Sequence, residues 1–381
     1  MELKDRFSHP AWRVLMALLI AALALTLRWR AVERIKIHND EVDYLKTALA
    51  YSDALRAGDL QGVINYDYNN EHPSLNKLVY GAALLPLEET DENPEPGEGK
   101  KPPDAPMGDY YRAARRAAAV LGAAGVFVLA LVNPLAGLLW AVFAWQVNYT
   151  SQLMLEALPS LTSLGAVVCY SLSKRRHKGW LVLSAACLGL TAASKYPYCA
   201  IGVAIGLDWL WETRPKQFNW SSLRRWLTPL AAWGALAVVV FFAANPRLWL
   251  HTAGRLRASL VYWFHFTASE HVQRFGYPFY QPLVWLLVEE PTPKSAFPVS
   301  IDRWITLAGF IGFPWLWKQR RVFAVWLALA LVMLLVWTTK WPQYVLILTA
   351  PLCLSAAGLI EILFKALLAR IRPKKAPPAA I

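Results

Sequence analysis

Long apolar stretches separated by short charged tracts run through the whole chain. The first, residues 11–28, carries Arg13 and Arg28 as its only charges. Runs of about 16–22 apolar residues recur after it, and a bilayer core of about 30 Å is crossed by about 20 such residues in a helix. The pattern predicts about ten membrane helices, over 11–28, 113–132, 134–148, 153–172, 179–194, 196–212, 227–244, 301–317, 322–338 and 342–364. The alternating ten-residue segments of a membrane β-barrel do not occur, so the backbone is expected to satisfy itself within helices. The predicted class is an all-α integral membrane protein with interfacial helices in two long outer loops.

Charge between the stretches gives the orientation. Lys174, Arg175, Arg176 and Lys178 separate helices four and five, and Arg214, Lys216, Arg224 and Arg225 separate six and seven. Lys318, Arg320 and Arg321 separate eight and nine, and Lys365, Arg370, Arg372, Lys374 and Lys375 follow ten. With Lys4, Arg6 and Arg13 they all fall on one side, which the positive-inside rule makes cytoplasmic. Both termini are then expected inside, in a cell membrane or, in a eukaryote, the endoplasmic reticulum membrane. The first apolar stretch lacks a clean small-residue cleavage site and reads as a retained helix.

One transmembrane domain is expected over 1–372, with a disordered cytoplasmic tail over 373–381. Two long segments of this domain are expected on the outer side of the membrane as loops, 29–112 and 245–300. In the first, Val42, Leu45, Ala48, Leu49, Tyr51 and Leu55 recur at helical spacing, which predicts an amphipathic helix on the membrane. The stretch 86–109 is rich in Pro, Glu, Asp and Gly and reads as a mobile loop. The second outer segment carries RLWLHTAGRLRASLVYWFHF, a further interfacial helix with Trp and Arg anchors.

Composition narrows the function classes. Hydrophobic residues make up 56% of the chain and mean hydropathy is +0.31. A net charge of +13 would suit a nucleic acid, but its confinement to short tracts beside membrane helices points to orientation and to anionic headgroups instead. Cys169, Cys187, Cys199 and Cys353 all lie in apolar runs, with neither metal spacing nor a disulfide framework, and read as packed thiols.

Polar residues that break the apolar pattern gather on the outer side. Asp40 and Glu41 follow the first helix, and an acid pair beside a membrane segment is costly unless it has work to do. The segment Asn70-Glu71-His72-Pro73-Ser74-Leu75-Asn76-Lys77 lies further along the first outer loop. Glu156 opens helix four, Lys195 ends helix five, Lys340 and Tyr344 begin helix ten, and Arg247 and His251 open the second outer loop. Acids able to take a proton thus share a face with cations able to hold a phosphate. Plainer readings compete: Lys195 and Lys340 as snorkelling helix-end lysines, His72 as a turn former before Pro73, Glu156 as half of an interhelical polar contact, and Asp40 as a helix-end acid. Asn148-Tyr149-Thr150 matches a glycosylation sequon but sits beside a membrane stretch.

Taken in order, these residues resemble the GT-C glycosyltransferases, and within them the branch of protein O-mannosyltransferases and lipid A aminoarabinose transferases. That branch typically reads DE, HPPLGK and a Leu-Asp near helix four. This chain has Asp40-Glu41, HPSLNK over 72–77 and Leu155-Glu156, followed by Ser194-Lys195-Tyr196 and Pro342-Gln343-Tyr344. The resemblance extends over about residues 15–355. Ser74 and Asn76 depart from the motif, Glu156 replaces an aspartate, and nothing in the chain corresponds to the MIR-type lumenal domain of the eukaryotic mannosyltransferases.

The resemblance implies an inverting transfer of a monosaccharide from a polyprenyl-phosphate donor to a hydroxyl of a protein, lipid or glycan. It implies Asp40 as general base with Glu41 shaping its surroundings. Lys77, Lys195 and Tyr344 are then candidates for the donor phosphate, with Lys340 and Arg247 behind them, and Glu156 and His72 are expected to orient the acceptor or Asp40. Metal-independent chemistry is expected, although a carboxylate pair is able to hold a divalent ion. A flippase or carrier for a lipid-linked sugar is the alternative. It would need the groove and the cations but no acid base at one face, and it often shows repeats and broken helices at mid-membrane.

Overall fold

A computed structural model describes residues 10–87, 107–217, 219–289 and 300–371. Most of the 86–109 stretch and the 373–381 tail lie outside the described residues. Within the described residues every regular element is helical. Eighteen helices follow in chain order: α1 (Pro10–Arg34), α2 (Asn39–Arg56), α3 (Leu60–Asn65), α4 (Leu75–Leu84), α5 (Asp109–Val132), α6 (Pro134–Ala141), α7 (Ala144–Tyr149), α8 (Ala157–Ser173), α9 (Gly179–Ser194), α10 (Ala200–Glu212), α11 (Trp220–Ala243), α12 (Thr252–Thr267), α13 (Glu270–Phe275), α14 (Gln281–Leu287), α15 (Asp302–Ile311), α16 (Phe313–Gln319), α17 (Arg321–Val336) and α18 (Leu346–Ile371). Short 3₁₀ turns lie at Tyr196–Cys199, Pro246–Leu248 and Pro342–Val345.

Among the described residues, four helical stretches are each long and apolar enough to cross a membrane: Pro10–Arg34, Asp109–Val132, Trp220–Ala243 and Pro342–Ile371. Shorter apolar helices, Ala157–Ser173, Gly179–Ser194 and Arg321–Val336, complete the bundle of a multi-pass membrane protein. Small residues on the inner faces let the helices approach closely. Gly122 of α5 shows why: a Cβ there would stand 2.7 Å from both Arg28 Nε and Thr150 Oγ1. Arg28 is thereby received inside the bundle, fully buried, donating from Nε to Thr150 at 2.8 Å.

Several expected helices are broken. The stretch 134–148 divides at Val142–Phe143, and α7 then starts afresh with its N–H groups capped from another helix: Asp302 accepts from Ala144 N at 2.7 Å and from Trp145 N at 2.9 Å. Helix four begins at Ala157 rather than 153, because 150–156 is a buried non-helical run. The stretch 301–317 becomes α15 and α16, which meet at Gly312. Breaks of this kind follow from tertiary contacts that local hydropathy does not encode.

α2 forms as predicted, yet its Tyr44, Leu45, Ala48 and Tyr51 face is covered by α4. Asn148 of the sequon is buried, so it is closed to glycosylation in this fold. The four cysteines are free and buried or half-buried. At one end of the bundle, buried Asp208 accepts from Tyr170 Oη and from Arg321 Nε at 2.9 and 2.8 Å and pairs with Lys174. Glu212 pairs with the same two cations. Lys174 and Arg321, which read as orientation signals in the sequence, also fasten α8, α10 and α17 together there.

Candidate active site

The acid pair is split by the first turn of α2. His38 caps this helix: its Nδ1 accepts from Asp40 N at 3.2 Å, and its own N–H donates to Glu41 Oε1 at 2.8 Å. Glu41 therefore turns inward and is fully buried. Arg115 of α5, equally buried, grips it in a two-point fork, Nε to Oε2 at 2.7 Å and Nη2 to Oε1 at 2.6 Å. The remaining guanidinium hydrogens go to the carbonyls of Val32, Ile35 and Lys36 at the end of α1. Leu153 N donates to Glu41 Oε2 at 2.7 Å. Every carboxylate position of Glu41 is thus occupied.

Asp40 is the opposite case. Its side chain is 42% exposed, and the imidazole Nδ1 of His38 lies 3.7 Å from its carboxylate. Its charge reaches Tyr44, Tyr149, Glu156 and Tyr344. The two acids stand in different surroundings, Glu41 forked by Arg115 and Asp40 half-exposed. Among the described residues no group of three or more His, Cys, Asp or Glu side chains is placed to hold one.

A cavity of about 730 Å³ opens beside this region. Its polar end is lined by His72, Lys195 and Tyr344, and its walls by Val203, Leu260, Phe264, Met333 and Val336. Val203, Leu260, Phe264 and Val336 are also exposed on the bundle surface, so the trough opens sideways. Lys195 enters from the extended residue after α9 and is 4% exposed. It is paired with the buried Glu156 carboxylate and lies 5.1 Å from the Tyr344 ring centre. His72 meets Tyr44 Oη at 3.4 Å and stands edge-on to Trp263, ring centres 5.1 Å apart. Burial, with the charges of Lys195 and Lys77, holds its imidazole well below the ordinary histidine value. It is neutral near pH 7.

The other predicted cations are engaged elsewhere. Lys77 folds back into the 69–72 turn and donates to Asn69 O at 2.5 Å and to Asn69 Oδ1 and His72 O at 3.3 Å. Burial draws its pKa down to about 7, and the three acceptors suit its charged form. Asn69 takes the left-handed conformation that this turn requires, at φ 52°. Arg247 binds Asn70 O and Asp67. Lys340 closes the C-terminal end of α17 through the carbonyls of Leu334, Leu335 and Trp337. Of the cations singled out in the sequence, Lys195 is the one that lines the cavity.

Sequence reasoning missed Arg115, Tyr44 and Tyr80. Arg115 carried a usable signal, since it falls on the Ala114, Ala118, Ala119 and Gly122 stripe of α5 that is buried against its neighbours. A charge on a small-residue face implies a buried partner.

No protein-family model matches the chain, and no curated protein sequence does. Solved structures do. ArnT from Cupriavidus metallidurans in the apo state superposes with a TM-score of 0.59 at 16% identity, over 92% of this chain and 62% of that one. The same protein bound to undecaprenyl phosphate gives 0.54 at 17%, over 93% and 63%. The chain has the GT-C fold. The Archaeoglobus fulgidus oligosaccharyltransferase, tethered with an acceptor peptide containing the NVT sequon, extends the likeness with a TM-score of 0.50 at 12% identity, over 96% of this chain and 51% of that one. The chain therefore spans less than two thirds of the length of these GT-C proteins, and what it shares with them is nearly its whole described bundle.

Proposed function

We propose that this protein transfers a monosaccharide from a polyprenyl-phosphate donor to a hydroxyl acceptor at the non-cytoplasmic membrane face. In this reading both termini lie in the cytoplasm. The observation that carries it is the cavity: an apolar trough that opens sideways and ends at one buried lysine, with a half-exposed carboxylate within electrostatic reach of the same groups. A polyprenyl tail suits the trough, and its phosphate suits Lys195. The GT-C fold, seen in ArnT bound to undecaprenyl phosphate, adds support.

The chemistry follows from the charges. The acceptor oxygen attacks the anomeric carbon and the bond from that carbon to the phosphate oxygen breaks, inverting the centre. The acceptor proton passes to Asp40, a step worth about 10²–10⁴ in rate. The polyprenyl phosphate leaves with growing negative charge, which the buried Lys195 stabilises. Glu156 keeps Lys195 in place, and Tyr344 covers its other side. Neutral His72 spaces Tyr44 and Trp263 at the polar end of the cavity.

The test supplies purified protein with a panel of labelled polyprenyl-phosphate sugars and follows release of polyprenyl phosphate and of transferred sugar. Release with one donor, lost in Asp40→Asn at normal expression, is the expected result. Movement of intact donor across a vesicle membrane without release would establish a carrier instead.

A further inference from the structure

Segment 150–156 is a non-helical run, buried throughout, between the short α7 and the apolar α8. Backbone in such a place is tolerated only where protein groups satisfy it. Three consecutive residues are each held by one side chain from the helices that follow α1. Leu153 N donates to Glu41 Oε2 at 2.7 Å. Met154 O accepts from Tyr80 Oη. Leu155 O accepts from Asn76 Nδ2 at 2.9 Å. The next residue is Glu156. Its carboxylate has Lys195 as its hydrogen-bond partner through Oε1, while Oε2 is buried and has none. The side chain of Glu156 therefore has little that fixes it, and its position must come from the backbone before it.

The three holding residues form one body. α2 and α4 pack so closely that a Cβ on Gly81 would stand 2.8 Å from Ala48 O. Arg115 ties the start of this body to α1 and α5. We infer that Glu41, Asn76 and Tyr80 are positioning residues that set the register of 153–155 and so aim Glu156 at Lys195, placing the charge at the polar end of the cavity. This deepens the function proposed above and rests on it for the identity of the ligand.

The test uses the full chain in nanodiscs of neutral lipid, with undecaprenyl phosphate as probe. Tyr80→Phe removes a single hydroxyl from the clamp and is expected to weaken binding about tenfold, the scale of one lost buried hydrogen bond. In a Glu156→Gln background the same change is expected to cost little more, since both act through Lys195. Additive losses would overturn the inference. A second readout needs no ligand: the ¹³C signal of reductively methylated Lys195, assigned with Lys195→Arg, should shift in Tyr80→Phe toward its position in Glu156→Gln. A Lys195 signal unchanged from wild type would overturn the inference even if the protein binds the lipid. Failure of the wild-type protein to bind undecaprenyl phosphate would instead count against the proposed function, and the Lys195 signal would still decide the clamp.

Discussion

Asp40 and Glu41 are adjacent in sequence, and their substitution should produce two different failures. Glu41 is fully buried, forked by Arg115 and also bound to two backbone N–H groups, of His38 and Leu153. Glu41→Ala leaves the guanidinium with only the carbonyls of Val32, Ile35 and Lys36. Removing one partner of a buried pair costs about 3–5 kcal/mol, and the Leu153 N–H stranded away from water adds about 1–3 kcal/mol. The retained carbonyls offset part of this, so a loss of about 3–5 kcal/mol is the expected net. Asp40→Asn touches a side chain that is 42% exposed, where a surface change is worth about 0.5 kcal/mol or less. Its cost should fall on the rate, about 10²–10⁴-fold. Thermal unfolding in detergent, read alongside sugar transfer by the same preparations, separates the two. A Glu41→Ala protein that melts with wild type would refute the burial argument, and an Asp40→Asn protein of undiminished rate would remove the base.

Other outcomes follow from the same geometry. Lys195→Ala should abolish polyprenyl-phosphate binding, measured with labelled lipid in nanodiscs, whereas Lys340→Ala should lower the melting point with binding intact, because Lys340 caps α17. Val203→Trp should fill the trough and weaken binding of long polyprenyl phosphates more than short ones; equal loss for both would place the lipid elsewhere. His72 gives a pH signature. Its folded value lies well below the ordinary value of about 6.5, so the unfolded chain takes up a proton that the folded one refuses. The resulting stability is present above about pH 6.5 and is lost as pH falls, at up to about 1.4 kcal/mol per unit. Melting curves between about pH 7.5 and 5.5 should be flatter for His72→Gln than for wild type, and parallel curves would contradict the assignment.

Much of the bundle was legible because hydropathy reports burial in lipid directly. Gly179–Ser194 and the stretch ending at Val132 stand where the pattern put them. The breaks at 142–143 and 150–156 were not legible, since Asp302 and Glu41 satisfy them from distant parts of the chain. The same limit explains the cations. A sequence places Lys77, Lys195, Arg247 and Lys340 near one face, but which of them finds a carbonyl and which meets a cavity depends on a few ångströms. The departures from the HPPLGK pattern acquire a reason. Ser74 donates to Asn245 Oδ1 at 2.5 Å, and Asn76 donates to Leu155 O; proline and glycine could make neither bond.

The buried run at 150–156 also bears on how the chain is made. Its peptide groups are buried in the bundle, and one left unpaired away from water costs about 1–3 kcal/mol. The side chains that satisfy them sit at 41, 76 and 80, and a ribosome delivers those first. The receptor for this segment is therefore synthesised before the segment itself. A circular permutation that reverses that order, with the new start between α5 and α6, would expose the run during insertion and should lower the yield of assembled protein even though the contacts from residues 41, 76 and 80 to the run remain possible.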